Sequence, residues 1–257
     1  MPSGTLVIFD CDGVLVDSEV IASEVFSHAV KRLGLTMTAE EADSEFRGRS
    51  LPDCLAILER RLGREVPNGF LSELREATKT AFGAQLQPVP HVREVLLALR
   101  QAQVPMCVAS SGSLQKVIHS LQLTSLLEFF HDNTRPGDGE PGGLGPSASA
   151  CTRLFSAEQV RQGKPAPDLF LFAARHMGYS AARCLVIEDS RAGVLAALAA
   201  QMDVLAFVPP QAQQGQLEFF VSLGIPIFCT MRELLSQLAL RNIRTHGDGI
   251  LPGEGPC

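Results

Sequence analysis

The sequence predicts an α/β fold, a Rossmann-like doubly wound parallel sheet with an inserted all-helical cap. Three observations carry this. From Pro88 onward, short apolar runs alternate with helical stretches, the pattern of βαβ units. A separate strand-like run, Thr5-Leu6-Val7-Ile8-Phe9, lies far upstream. Between the two, residues 19 to 86 keep helical spacing with no strand signal. The first run joins the later strands only if that stretch is an insertion.

Each element has its own signal. Thr5 to Phe9 is rich in β-branched and aromatic residues and is short enough for a buried strand of a parallel sheet. Glu19 to Leu33 places Ile21, Val25 and Ala29 four residues apart and stops at Gly34. Ser50-Leu51-Pro52-Asp53 reads as a capping-box variant with Pro in the first turn. It starts a helix that carries Leu51, Leu55, Leu58 and Leu62 inward and ends at Gly63. A third helix runs from about Phe70 to Phe82.

The second part reads as helix Val92 to Gln101, strand Pro105 to Ala109, helix Leu114 to Leu123 and strand Leu154 to Ser156. Helix Asp168 to Met177, strand Cys184 to Ile187 and helix Arg191 to Ala200 follow. Strand Val204 to Val208 and the run Ile225 to Cys229 lead into helix Met231 to Leu240. The expected division is a catalytic core of residues 1–17 and 88–244 with a cap of residues 18–87. The Gly/Pro-rich insert 133–151 and the tail 245–257 lack periodicity and are expected to be disordered.

Composition bounds the function. The chain has 257 residues, 46% hydrophobic and 19% charged, enough for one large or two modest globular domains. A net charge of -6 gives no basic footprint, so nucleic acid is not an expected partner. No apolar run has membrane-spanning length, and no basic-then-apolar leader begins the sequence, so a cytoplasmic protein is expected. Sequence alone sets no oligomeric state. Seven cysteines, scattered without a CxxC pair, argue against a zinc site and a disulfide framework. Cys107, Cys184 and Cys229 sit in apolar runs and read as small core residues.

Four strand ends carry polar residues. Asp10 and Asp12 follow the first strand, and Ser110-Ser111-Gly112 follows the strand at 105–109. Lys164 comes after the third strand, within Gly163-Lys164-Pro165-Ala166-Pro167-Asp168. Glu188-Asp189-Ser190 follows the strand at 184–187, with Gly193 in the next turn. In a parallel sheet all four ends face one crevice. Converging carboxylates repel unless a cation sits among them, and hard oxygen ligands suit Mg²⁺. A hydroxyl, a turn with free N–H groups and a Lys form an anion clamp. Each piece also has a plain use: Ser110 as a helix cap, Lys164 at the surface, Glu188-Asp189 at a helix N-terminus. Four together at successive strand ends are not explained that way.

These motifs, with Asp10 to Ser18 in the form DxDGxLxDS, resemble the four motifs of the haloacid dehalogenase-like hydrolases. The likeness is to sugar-phosphate phosphatases with a small helical cap, the group of 6-phosphogluconate phosphatase and β-phosphoglucomutase. It covers residues 4 to 240 outside the insert. The resemblance implies Asp10 as the nucleophile that forms an aspartyl-phosphate and Asp12 as the general acid and base. It implies Mg²⁺ on Asp10, the Asp12 backbone, Asp189 and Glu188, and phosphate binding by Ser110, Ser111 and Lys164. The substrate would be a small phosphorylated metabolite.

Asp12 favours phosphoryl transfer over dehalogenation, because the dehalogenases of this family lack the second acid. A mutase is the nearest alternative, but its cap His and Arg would fall at Ala22 and Leu51. A receiver-like phosphoacceptor also uses an Asp cluster, Mg²⁺ and Lys, yet leaves the cap without a role. In the cap, Arg47 and Arg49 are candidates to bind a substrate carboxylate or hydroxyls. Gln201 stands where the family has Gly, so a positive φ is expected there.

Overall fold

The structure, a computed structural model, describes residues 4–46, 51–131, 153–210, 212, 214–241 and 243, with backbone only at 43–44 and 51–53. Strand β1 (Leu6–Phe9) is followed by helices α1 (Glu19–Arg32), α2 (Ala39–Phe46), α3 (Leu51–Leu62) and α4 (Phe70–Gln85). Next come α5 (Val92–Gln101), β2 (Met106–Ser110), α6 (Leu114–Leu123), β3 (Leu154–Ser156) and α7 (Asp168–Met177). The chain continues through β4 (Cys184–Glu188), α8 (Arg191–Ala199), β5 (Asp203–Phe207), α9 (Gln214–Ser222), β6 (Ile227–Phe228) and α10 (Met231–Leu240).

The strands form one parallel sheet in the order β3-β2-β1-β4-β5-β6. Ile8 of β1 lies opposite Cys107 of β2 and Val186 of β4. Strand order therefore reverses at β1, which opens a crevice beyond the carboxyl ends of β1, β2 and β4.

Period-two alternation divides the side chains between two cores. Val7 and Phe9, Val108, Leu185 and Ile187 face α5, α6 and α10. Leu6 and Ile8, Cys107 and Ala109, and Val186 face α7, α8 and Phe220 of α9. All four residues of β1 are fully buried, each contributing about 1.5–3 kcal/mol. This rigid central strand carries the two Asp residues that follow it.

Helices α1 to α4 pack around a third apolar cluster that includes Val30, Met37, Phe46, Leu58 and Phe70. The Phe26 and Phe46 rings meet at 4.5 Å. The chain leaves the sheet and returns to it as two adjacent segments joined by an antiparallel bridge at Val16 and Pro88. Asp17 N–H donates to Gln87 O (2.9 Å) and Val89 N–H to Leu15 O (3.0 Å).

Three features differ from the sequence reading. Helix α2 was not anticipated, because only Ala42 and Phe46 are apolar at helical spacing and the rest of it is acidic or small. Its start is nevertheless written in a reciprocal box: Thr38 N–H donates to Glu41 (2.8 Å), and Glu41 N–H to Thr38 Oγ1 (3.1 Å). Helix α9 follows Pro209-Pro210 and is rich in Gln, so its Gln216/Phe220 buried stripe is faint. Cys229, expected as an unpaired core residue, is disulfide-bonded, whereas Cys11, Cys54, Cys107 and Cys184 are free and buried. Ser50 lies outside the described residues, as do the whole 133–151 insert and the whole 245–257 tail. Gln201 takes φ 58°, as its place after α8 predicts. Among the described residues no helix is long and apolar enough to cross a membrane.

Candidate active site

Asp10 is the first residue past β1, and its N–H donates to Ile187 O (2.9 Å), which locks it to β4. Its Oδ1 lies 2.6 Å from Lys164 Nζ, and that Lys side chain is only 2% exposed. Lys164 Nζ also donates to Glu188 Oε1 (2.7 Å) and Ala109 O (2.9 Å). An ammonium has three donors, so all three are committed, and the ring of Phe170 lies 4.9 Å from Nζ. Lys164 thus ties together the ends of β1, β2 and β4.

Glu188 is fully buried, and its second oxygen accepts from Ser190 N–H (2.8 Å) and Ser190 Oγ (2.9 Å). Gly193 is required next to it, because a Cβ there would overlap the Glu188 carboxylate. A second glycine does the same for Asp189. Gly13 has φ 81°, and a Cβ on it would overlap the Asp189 carboxylate. Asp189 therefore faces the loop that bears Asp10 and Asp12, and the buried Gln216 side chain donates to its backbone carbonyl.

Asp12 accepts at Oδ1 from Ser18 Oγ (2.8 Å) and from Lys116 Nζ (2.9 Å). Ser110 is 1% exposed, and its oxygen accepts from Gly112 N–H (3.0 Å), so its O–H is left to donate into the crevice. Ser111 is exposed and lines the same crevice. Ser156 at the end of β3 donates to Gly112 O (2.8 Å) and fixes the turn from the other side. Ser113 caps α6 by accepting from Lys116 N–H (3.3 Å), which leaves Ser110 for the crevice.

Burial and neighbouring charge together set the titration. Burial pushes Asp10 up to about 8; Glu188 and Asp12 add to the rise and Lys164 opposes it. The rise is at odds with a 2.6 Å ion pair, which by itself lowers a carboxylate. Removal from water is the larger effect here, and the other acids reinforce it. Burial also penalises the Lys164 ammonium, but Asp10 and Glu188 outweigh it and keep that Lys charged. For Asp12 the balance reverses: burial raises it, and Lys116 and the hydroxyl of Ser18 bring it below the usual value. Burial between Asp12 and Asp10 lifts the Cys11 thiol well above its ordinary value, so it is no nucleophile.

These residues form the floor of a cavity of about 820 Å³ between the sheet and helices α1 and α4. Asp10, Asp12, Ser110, Ser111, Lys164 and Asp189 line it together, and Glu188 sits beneath them. Arg47 and Arg49 lie outside the described residues. The sequence reading missed Lys116 and Ser18. A signal for Lys116 existed: it falls in the first turn of the helix that follows a site strand, three residues past the Ser113 cap.

A divalent cation suits the donor set of the floor, four carboxylates against two ammonium groups among the described residues. As the side chains stand, no three acidic, His or Cys groups among the described residues converge on one point. Lys164 occupies the space between Asp10 and Glu188.

Residues 5–201 match the family model of the haloacid dehalogenase-like hydrolases, and the chain belongs to that family. The 6-phosphogluconate phosphatase of Escherichia coli is 29% identical over 202 residues, covering 78% of this chain and 81% of that protein. The phosphorylated carbohydrates phosphatase of Thermotoga maritima is 25% identical over 211 residues, 82% of this chain and 88% of the relative. Among solved structures, a HAD family hydrolase from Deinococcus radiodurans with bound phosphate and sodium superposes with a TM-score of 0.71 at 28% identity. It covers 93% of this chain and 97% of that one.

Proposed function

We propose that the protein is a Mg²⁺-dependent phosphatase that hydrolyses a small sugar-phosphate monoester through an aspartyl-phosphate on Asp10. The observation that carries this is the Asp10 carboxylate, 2.6 Å from the buried Lys164 ammonium on the cavity floor, with Asp12 and Ser110 in the same cavity. The phosphatase names of the relatives support the reading, as does the phosphate bound to the Deinococcus hydrolase. An acidic sugar phosphate such as 6-phosphogluconate is the favoured substrate.

A phosphate anion entering beside Asp12 favours its protonated form, and a cation beside Asp10 would favour the ionised form of that group. In the first half-reaction an oxygen of the ionised Asp10 bonds to phosphorus while the bond from phosphorus to the sugar oxygen breaks, and the protonated Asp12 gives that oxygen its proton. In the second, water attacks phosphorus, Asp12 takes the water's proton, and the Asp10–phosphorus bond breaks. Ser110 O–H and the neighbouring Ser111 hold phosphoryl oxygens. Lys164 contributes its charge rather than a spare N–H, since its three donors are engaged. Asp10, Asp189 and the Asp12 backbone carbonyl, with Glu188 beside them, would hold Mg²⁺, which would supply positive charge to the phosphoryl oxygens. Ser18 and Lys116 aim Asp12. Helices α1 and α4 of the cap cover the crevice. Ala22 presents only a methyl to the cavity, so a second sugar hydroxyl finds no proton-carrying group there, and water is the favoured acceptor.

The test is phosphate release from p-nitrophenyl phosphate with and without Mg²⁺. The parent protein turns over only with the metal, and Asp10→Asn abolishes turnover. Full activity in Asp10→Asn, or none in the parent, removes the proposal.

A further inference from the structure

The crevice has a second charged wall. Arg75 and Lys79 stand four residues apart on α4 and so share one helix face. Both line the cavity that holds Asp10 and Asp12, as does His119 of α6. Lys116, also on α6, is already bound to Asp12 at 2.9 Å. Arg75 and Lys79, in contrast, make no ion pair or hydrogen bond among the described residues, unlike Arg32, Arg61, Arg93 and Arg100. Glu76, Glu19 and Glu158 line the cavity too. Glu76 points about 100° around the helix from Arg75, and Glu158 accepts from Leu114 N–H (3.2 Å) at the start of α6.

Depth along α4 can be counted from Phe82. Its ring lies 5.6 Å from Lys116 Nζ, which in turn lies 2.9 Å from Asp12 Oδ1. Lys79 is three residues and Arg75 seven residues nearer the start of α4, about 4.5 and 10.5 Å along the axis at roughly 1.5 Å per residue. An extended five- or six-carbon chain with its phosphate spans a length within that interval, at a reach of about 1.2 Å per bond.

We propose that Arg75 and Lys79, with His119 of α6 in the same cavity, form the subsite that reads the far end of the substrate and selects phosphosugars carrying a second anionic group. A carboxylate or a second phosphate supplies the shared chemistry, since a guanidinium fork grips either in bidentate fashion. A neutral hexose phosphate offers the same wall only hydroxyls. The inference rests on the phosphatase reading and names its substrate class.

The experiment compares kcat/KM in Mg²⁺ buffer for 6-phosphogluconate, fructose 1,6-bisphosphate and glucose 6-phosphate, with p-nitrophenyl phosphate as the measure of chemistry alone. The two doubly anionic sugars are expected to exceed glucose 6-phosphate by about tenfold or more, mainly through KM, as one charge-assisted contact provides. Whichever is better identifies the source of the anion. In Arg75→Gln/Lys79→Gln that preference falls about tenfold or more. In the unmutated protein it falls as salt rises, because the Debye length shrinks from about 10 Å at 0.1 M to about 3 Å at 1 M. The salt arm does not depend on how the variant folds. Turnover of p-nitrophenyl phosphate with no preference for the doubly anionic sugars, or with a preference insensitive to both perturbations, overturns the subsite alone. No turnover of any substrate overturns the phosphatase reading and the subsite with it.

Discussion

Replacing Lys164 with Met keeps the length of the side chain and removes its charge. The ammonium is 2% exposed, and its partners Asp10 and Glu188 are 10% and 0% exposed, so water cannot take its place. Removing one member of a buried ion pair costs about 3–5 kcal/mol. The lower end applies here for two reasons. Burial already pushes Asp10 up to about 8, so near neutrality it takes a proton at little further cost. Glu188 also keeps its two contacts from Ser190. A loss of about 3 kcal/mol lowers Tm by roughly 6–12 °C in a chain of this size.

The sign of the pH effect follows. Lys164 favours the ionised form of Asp10, so without it the folded-state pKa of Asp10 rises further, and the penalty grows as the pH rises toward that pKa. The deficit is therefore larger at pH 7.5 than at pH 5. Thermal unfolding of metal-free protein, followed by circular dichroism at both values, measures it. Lys164→Met/Glu188→Gln is expected to regain about 1 kcal/mol or more, because no unpartnered charge then remains at 188. A Tm loss below about 2 °C at pH 7.5, or a larger deficit at pH 5, refutes the reasoning.

Other outcomes follow from the same geometry. Gly193→Ala forces a methyl onto the Glu188 carboxylate and is expected to cost about 1–3 kcal/mol, read as a shift in the urea midpoint. Asp10→Asn removes a carboxyl whose folded pKa lies near 8 against 3.8 in a free chain. Metal-free stability relative to the parent is then expected to rise by up to about 1.4 kcal/mol per pH unit from pH 4 to pH 8, and equal slopes contradict it. Lys116→Met releases Asp12 from its 2.9 Å partner; kcat is expected to fall about tenfold or more, with KM changing less. Lys116→Arg restores part of it, and no rescue argues against a positioning role.

Much of this was legible because the signals were local. The unbroken apolar run Leu6–Phe9 and the similar runs of its neighbours are a direct print of a sheet buried on both faces, and Asp10, Asp12, Lys164 and Glu188 announce themselves as polar groups at strand ends. Long-range pairings left no such print. Nothing near Asp12 in sequence points to Lys116, 104 residues away, and the pairing of Lys164 with both Asp10 and Glu188 appears only when three strand ends meet. Arg75 and Lys79 look like ordinary surface charge on an amphipathic helix until α4 is folded over the crevice. Helix α2 was lost because its start signal, Thr38 with Glu41, precedes a segment with little apolar content.

The central claim is that the Asp10 carboxylate attacks phosphorus. Rapid acid quench during turnover, followed by peptide mapping, tests it directly. The account predicts phosphate on the peptide carrying Asp10, stable in acid and released by hydroxylamine, as an acyl phosphate is. Phosphate on a serine peptide instead, or turnover in Asp10→Asn with none of the protein labelled, contradicts it.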